Sequence, residues 1–316
     1  MAYAYWHHSG QPHRSKFLAL RNAYHGDTIG AVSVGAVEVF HGVYKPLLFE
    51  TLVAPSPYCY RCELGRSPAS CGMACAAELE RMLENHADRL AGVIVEPLMQ
   101  CAGGMIAAPA GFLRTIREAC DRHGVLLIAD EVQTGLGRTG KLWGVDHWDV
   151  KPDIVALAKS LGGGVMPISA FCSTEEIWQV MMYPNPFIHT TTTGGGALAC
   201  SAAIAALNVT LRDRLWEAAA EKGNYLISRL EALVERFPDL LAKITGKGLL
   251  IGMHFKSGEI GYRVAAGLFK RGVLVAGTLI SATTIRIEPP LVISYAELDE
   301  VLQRLEDTLQ EVQRSL

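Results

Sequence analysis

Val125-Leu-Leu-Ile-Ala-Asp-Glu-Val-Gln-Thr-Gly135 and Pro152-Asp-Ile-Val-Ala-Leu-Ala-Lys-Ser-Leu-Gly-Gly-Gly164 decide how this chain folds. The first opens on a continuous apolar run closed by Asp130, as expected of a strand buried on both faces of a parallel sheet. The second holds another such run, Ile154–Ala158, closed by Lys159 and released into glycines. Ligands of open α/β sheets bind beyond the carboxyl ends of the strands. Asp130 and Lys159 are therefore expected at one rim, with Gln133 just past the first strand. Taken singly, such residues are ordinary: acids at strand ends cap and turn the chain, and most lysines are solvated surface charges. Together on successive strand ends they suggest chemistry. A partly desolvated lysine amine can form a Schiff base with a carbonyl, and a nearby carboxylate can hold a protonated pyridine nitrogen. Pyridoxal phosphate needs that pair.

The flanking residues carry a resemblance. LIADEVQTGLGRTGK and DIVALAKSLGGGVMPI resemble the two signature segments of the class III pyridoxal-phosphate aminotransferases. The resemblance implies an α/β fold of type I, with a mostly parallel sheet in a large domain and a small α+β C-terminal domain. It also implies that Lys159 carries the cofactor, that Asp130 partners the pyridinium, that Val132 lies under the ring and that Gln133 reaches the ring hydroxyl. Within the same stretch, Gly135-Leu-Gly-Arg-Thr-Gly140 spells GxGxxG and, with Lys141, nearly a P-loop. Leu142 stands where a P-loop needs Ser or Thr, and KLWGVDHWDVKP has neither the apolar spacing nor the caps of the helix both motifs require. A glycine-rich turn is expected instead.

At 316 residues the chain can bury a large core in one or two domains. Half of it is apolar and 19% charged, ordinary for an α/β enzyme. A net charge of −3 supplies no electrostatic footprint for nucleic acid or anionic membrane. No apolar run is long enough to span a bilayer, and MAYAYWHHSG does not read as a signal peptide, so a cytoplasmic protein is expected. Eight cysteines without a secretory signal suggest thiols rather than a disulfide framework.

Working outward, Met1–Trp6 reads as the end of a helix, and RSKFLALRNAYHGDT as a short strand entering a turn. Its Tyr24 resembles the family's aromatic that stacks on the cofactor ring, ahead of His25. The spacing of His7, His8, His13 and His25 matches no metal-ligand pattern. Cys59-x2-Cys62 and Cys71-x3-Cys75 lie close together ahead of the helix expected over Ala74–His86. They could hold a structural zinc or an iron–sulfur cluster, or be a compact loop of reduced thiols. The family's chemistry requires no metal, and none is assigned. AGVIVEP reads as a buried strand ending at Glu96, where the resemblance puts an acid supporting the residues around the ring hydroxyl. GFLRTIREACDRHG reads as an amphipathic helix with a glycine stop, which completes a βαβ rhythm. PISAFCST adds one more strand. In FIHTTTTGGGALAC the resemblance makes Thr192 the cofactor-phosphate ligand across a homodimer interface, although Thr193 and Gly196-Ala197 depart from the family pattern there. A long helical region over Ala197–Arg236 is expected to join a large domain, residues 1–236, to a C-terminal one, 237–316. In the latter, KITGKGLLIGMHF, GVLVAG and TTIRIEPPL read as strands and SYAELDEVLQRLEDTLQEVQRSL as an amphipathic helix. Arg286 resembles the family arginine that grips a substrate carboxylate.

The resemblance runs end to end, but family members carry a further stretch before the point matching Met1, including a phosphate-binding Gly-Ser turn. A truncated chain that binds its cofactor weakly is expected. The segment from YHGDTIGAVSVG through the cysteine loop resembles diaminopelargonate aminotransferases of biotin synthesis. PNPFIHTTTT and GVLVAGTLISATTIRIEPPL resemble putrescine aminotransferases more. The expected reaction moves a terminal primary amine to a 2-oxo acid. A diaminopelargonate-type aminotransferase of biotin synthesis, related aminomutases, epimerases and decarboxylases, or a catalytically weak or silent fragment are the alternatives.

Overall fold

The computed structural model describes residues 1–35, 37–183 and 185–316; Pro184, which heads the PNPFIHTTTT segment, lies outside the described residues. The chain forms two compact units. The first comprises 1–98, 108–133 and 144–208, and the second 99–107, 134–143 and 209–316.

The first unit is built on a six-stranded sheet. Its strands are β1 (Lys16–Leu20), β2 (Thr51–Ala54), β3 (Leu90–Val95), β4 (Leu126–Asp130), β5 (Ile154–Leu157) and β6 (Ala170–Ser173), in the spatial order 2-1-3-4-5-6. All neighbours run parallel except β6, which pairs antiparallel with β5 at the edge. The two apolar runs are β4 and β5, side by side: Asp130 pairs with Ala156, which precedes Lys159 on the same strand end. Asp153 holds that register, since its carboxylate accepts from the Leu127 N–H and from Arg117. Helix α1 (Ala2–His8) lies on the sheet through Trp6, whose indole donates to the Ala91 carbonyl at 2.8 Å. Helix α2 is Ala74–His86. Helix α3 (Phe112–His123) buries Phe112, Leu113, Ile116, Ala119 and Cys120, one stripe at helical spacing. It stops at Gly124, which takes the left-handed conformation a residue with a Cβ adopts at a cost. The chain then enters β4.

Helix α4 (Ala197–Arg212) carries the chain out of the first unit. The continuous helical region expected over 197–236 is in fact broken, because Arg214 sits at φ +47 and α5 (Leu215–Arg236) starts afresh. Ala219, Leu226, Leu230 and Leu233 of α5 are buried in the second unit's core, against Leu249, Ile251 and Met253. That core lies on an antiparallel sheet of β7 (Leu241–Lys247), β8 (Leu250–Phe255), β9 (Ala276–Gly277) and β10 (Thr284–Ile287), ordered 9-10-8-7. Helix α6 is Gly258–Lys270, and α7 (Tyr295–Arg314) opens with a capping box between Ser294 and Glu297.

The GxGxxG segment packs in this second unit as a turn. A Cβ on Gly137 would meet the Trp216 backbone at 3.3 Å, and one on Gly140 would meet the Ala220 Cβ at 3.0 Å. Arg138 donates to the carbonyls of Leu249 and Pro289. These glycines admit the N-terminal turns of α5 rather than a nucleotide. Among the described residues no helix is long and apolar enough to cross a membrane.

Candidate active site

At the carboxyl ends of β4 and β5 the first unit carries an open cavity of about 1130 Å³, lined by residues that include His25, Val132, Lys159, Ser169, Thr191, Thr193 and Gly194–Gly196. Lys159 is the residue at which β5 gives way to a 3₁₀ turn, and it holds φ +40 there. A lysine in the left-handed region stores backbone strain of roughly 1–3 kcal/mol, of the kind that clusters at functional positions. The glycines after it release the chain: Gly163 and Gly164 also take positive φ.

Asp130 is buried, and both its carboxylate oxygens are used. Oδ1 accepts from the Val132 N–H at 3.0 Å, and Oδ2 lies 2.7 Å from His25 Nδ1. Asp130 is not itself among the lining residues; its partner His25 is. The His25 side chain is only 2% exposed, and its Nε2 has no hydrogen-bond partner among the described residues. Burial alone would push the imidazole's pKa down. The hydrogen bond and charge of Asp130, reinforced by the charge of Glu96, outweigh that and raise it above the usual histidine value. Glu96 is buried at the end of β3 and stands 3.5 Å from the Tyr24 N–H. The structure thus brings His25, Glu96, Asp130, Val132 and Lys159 to one sheet end.

The other expected residues stand differently. Tyr24 does not line the cavity. Its ring stacks on His41 at 5.9 Å and its hydroxyl donates to Asp27; burial, with Asp27 adding, pushes that phenol up to about 12. Gln133 is half-buried outside the lining, and Thr192 is exposed between two threonines that do line it. Arg286 belongs to the second unit, where it lines a different cavity of about 600 Å³. Its Nε donates to the Gly277 carbonyl at 2.9 Å, and Glu288 stands 3.7 Å from Nη1.

One residue escaped the sequence reading. Glu131 is 2% exposed and accepts the N–H groups of Gly144 and Val145 at 2.9 and 2.8 Å. Strand alternation turns its side chain away from that of Asp130. It clamps the 3₁₀ turn Gly144–His147 beneath the strand end. The available signal was the second acid of the Asp130-Glu131 pair, which a buried strand end must satisfy somehow.

Pyridoxal phosphate fits these residues. A buried carboxylate braced by an imidazole suits a ring cation, a lysine amine faces the same cavity, and hydroxyls with backbone N–H groups suit a phosphate. Comparison with known proteins agrees. The family Aminotransferase class-III matches residues 1–309. An adenosylmethionine-8-amino-7-oxononanoate aminotransferase of Geobacter sulfurreducens is 39% identical across 99% of this chain and 71% of its own length. A pyridoxal-phosphate-bound amine transaminase from an uncultivated Pseudomonas superposes with a TM-score of 0.90 at 35% identity, over 98% of this chain and 72% of that one. An (S)-enantioselective omega-transaminase of Thermomicrobium roseum gives 0.89 at 33%, over 98% and 71%. On this evidence the chain belongs to the class III aminotransferases, pyridoxal-phosphate enzymes of fold type I.

Proposed function

We propose that this aminotransferase moves a terminal primary amine, from a diamine or omega-amino acid, to a 2-oxo acid, with Lys159 and Asp130 as its catalytic residues. The observation that carries the site assignment is the shared sheet end: Asp130 and Ala156 are paired in register, and Lys159 follows on that strand. When bound, pyridoxal phosphate supplies an electron sink for the pair left on the donor carbon as its proton departs. Lys159 is the base that takes that proton. Asp130, braced by His25 at 2.7 Å, is the group that would hold the ring nitrogen's proton. Val132, on the cavity wall, would lie against the ring, Gln133 would serve the ring hydroxyl, and Glu96 would support that side. Tyr24 is proposed to stack on the ring and Arg286 to grip the acceptor carboxylate.

A homodimer with shared sites follows from the same reading, with Thr192 serving the partner's cofactor phosphate. It is supported by the apolar surface of this region. Ala203 alone is buried on α4, while Leu198 is 69% and Phe187 75% exposed, more than a monomer ordinarily leaves to water.

A second reading has one specific observation behind it. The Geobacter relative is named for transfer from adenosylmethionine to 8-amino-7-oxononanoate, and it matches 99% of this chain. Single-turnover spectra of the cofactor-loaded protein separate the two. Rapid bleaching of the visible band by putrescine, reversed by pyruvate, supports the diamine reading. Bleaching by adenosylmethionine alone, reversed by the amino-oxononanoate, supports the other. Release of the donor nitrogen as free ammonia over many turnovers, with no oxo acid consumed, counts against transamination itself.

A further inference from the structure

Between β2 and α2 the chain runs from Pro55 to Met73 with only a three-residue 3₁₀ turn, Cys59–Arg61, for regular structure. A segment of that length is uncommon in a compact domain unless something ties it down. Its four cysteines are spaced C-x2-C-x8-C-x3-C. Cys59 and Cys62 bracket the 3₁₀ turn, and Cys71 and Cys75 bracket the reversal into α2, where Gly72 and Met73 both take positive φ. All four cysteines are among the residues lining one cavity of about 20 Å³. None of the four is in a disulfide.

We infer that Cys59, Cys62, Cys71 and Cys75 form a structural site for a single thiophilic divalent cation, zinc in the first instance. The ligand type and the first spacing suit a closed four-thiolate zinc site. A cavity of that size has room for one ion or one water, which argues against a multi-iron cluster. Arg66 lines the same cavity and offsets the negative charge that four thiolates leave around a divalent ion. Among the described residues the only metal-capable trio whose ligand atoms already lie within 4.8 Å of one another is Glu80, Glu84 and His123, where Arg122 already occupies Glu80. The four thiols thus surround their cavity without meeting at a point. Rotation about χ1 swings each sulfur, and binding a structural metal characteristically completes the local fold that holds it. The cation would close the loop between the sheet edge and α2. The chemistry of amine transfer does not depend on it.

The test uses the full-length, cofactor-loaded protein, reduced, exposed to zinc and desalted. Elemental analysis should find about one zinc per chain, and the four loop thiols should resist a thiol reagent until a chelator is added. Exchange with cobalt(II) should give sulfur-to-metal charge-transfer absorption and tetrahedral d–d bands. Cys59→Ser and Cys62→Ser should each lower retained zinc at least tenfold, and His123→Ala should leave it unchanged. Because a serine variant can fail to fold, the cobalt spectrum of the unaltered chain stands as the independent measurement. Four thiols that react equally with and without zinc would overturn the site. So would cobalt spectra without sulfur ligation, zinc lost in His123→Ala but kept in Cys59→Ser, or two disulfides among these cysteines in the isolated protein.

Discussion

His25 ties protonation to folding at the residue scale. Its folded pKa is raised, so the stability contributed by the pair with Asp130 is fully present below the ordinary histidine value and lost as pH rises through the raised one. The destabilisation caused by His25→Gln should be largest below the ordinary histidine value of about 6.5 and shrink as pH rises above it; urea midpoints measured on both sides check it, and a constant difference would refute it. Asp130→Asn replaces a charge-assisted bond worth roughly 1.5–3 kcal/mol, so turnover should fall about tenfold to a hundredfold while cofactor remains bound. Arg286→Ala should raise the KM for the oxo acid, at a cost of roughly 2–5 kcal/mol, and spare the half-reaction with a diamine. Equal damage to both halves would mark Arg286 as an ion-pair partner of Glu288 and nothing more. The place of Lys159 and Asp130 at the sheet rim was legible because an apolar strand ending in a charged residue leaves it little choice but that rim. Glu131 was not, because alternation hides its side chain beneath the strand and its partners, Gly144 and Val145, come from a later loop.

Elements were readable where apolar spacing is unbroken and punctuation is strong. β4, β5 and α3 announce themselves by continuous runs, helical spacing and Gly124. The break between α4 and α5 does not, since neither Gly nor Pro marks Asp213-Arg214 and the apolar pattern continues through it. The short ladder of Met99–Gln100 with Ile106–Ala107 is below the length at which periodicity can be seen. Two element contacts are open to mutation. Glu131→Ala strands two buried N–H groups of the Gly144–His147 turn, at roughly 1–3 kcal/mol each. The loss should appear in denaturant unfolding, and an unchanged midpoint would deny the clamp. Gly223 of α5 comes so close to the Gly248 turn that a Cβ would lie 2.2 Å from the Gly248 oxygen. Gly223→Ala should destabilise by roughly 1–3 kcal/mol, with little effect if the helix can move away freely.

Across the whole molecule, a large apolar core, a small net charge and a mostly parallel sheet were all implied by composition and by the βαβ rhythm. The way the chain shares itself between two units was not. Segments 99–107 and 134–143 leave the first unit to pack in the second, a long-range choice that no local pattern records. If the exposed apolar face of α4 is covered by a second copy, light scattering should return twice the chain mass, and Leu198→Glu should shift it toward the monomer. The assignment of Lys159 as the cofactor lysine is the claim on which the rest depends, and it can be read from one peptide map. The protein, loaded with pyridoxal phosphate, is reduced with borohydride, digested and analysed by mass spectrometry. A stable phosphopyridoxyl group on Lys159, absent from Lys159→Ala, is the predicted result; the group on another lysine, or on none, would contradict it.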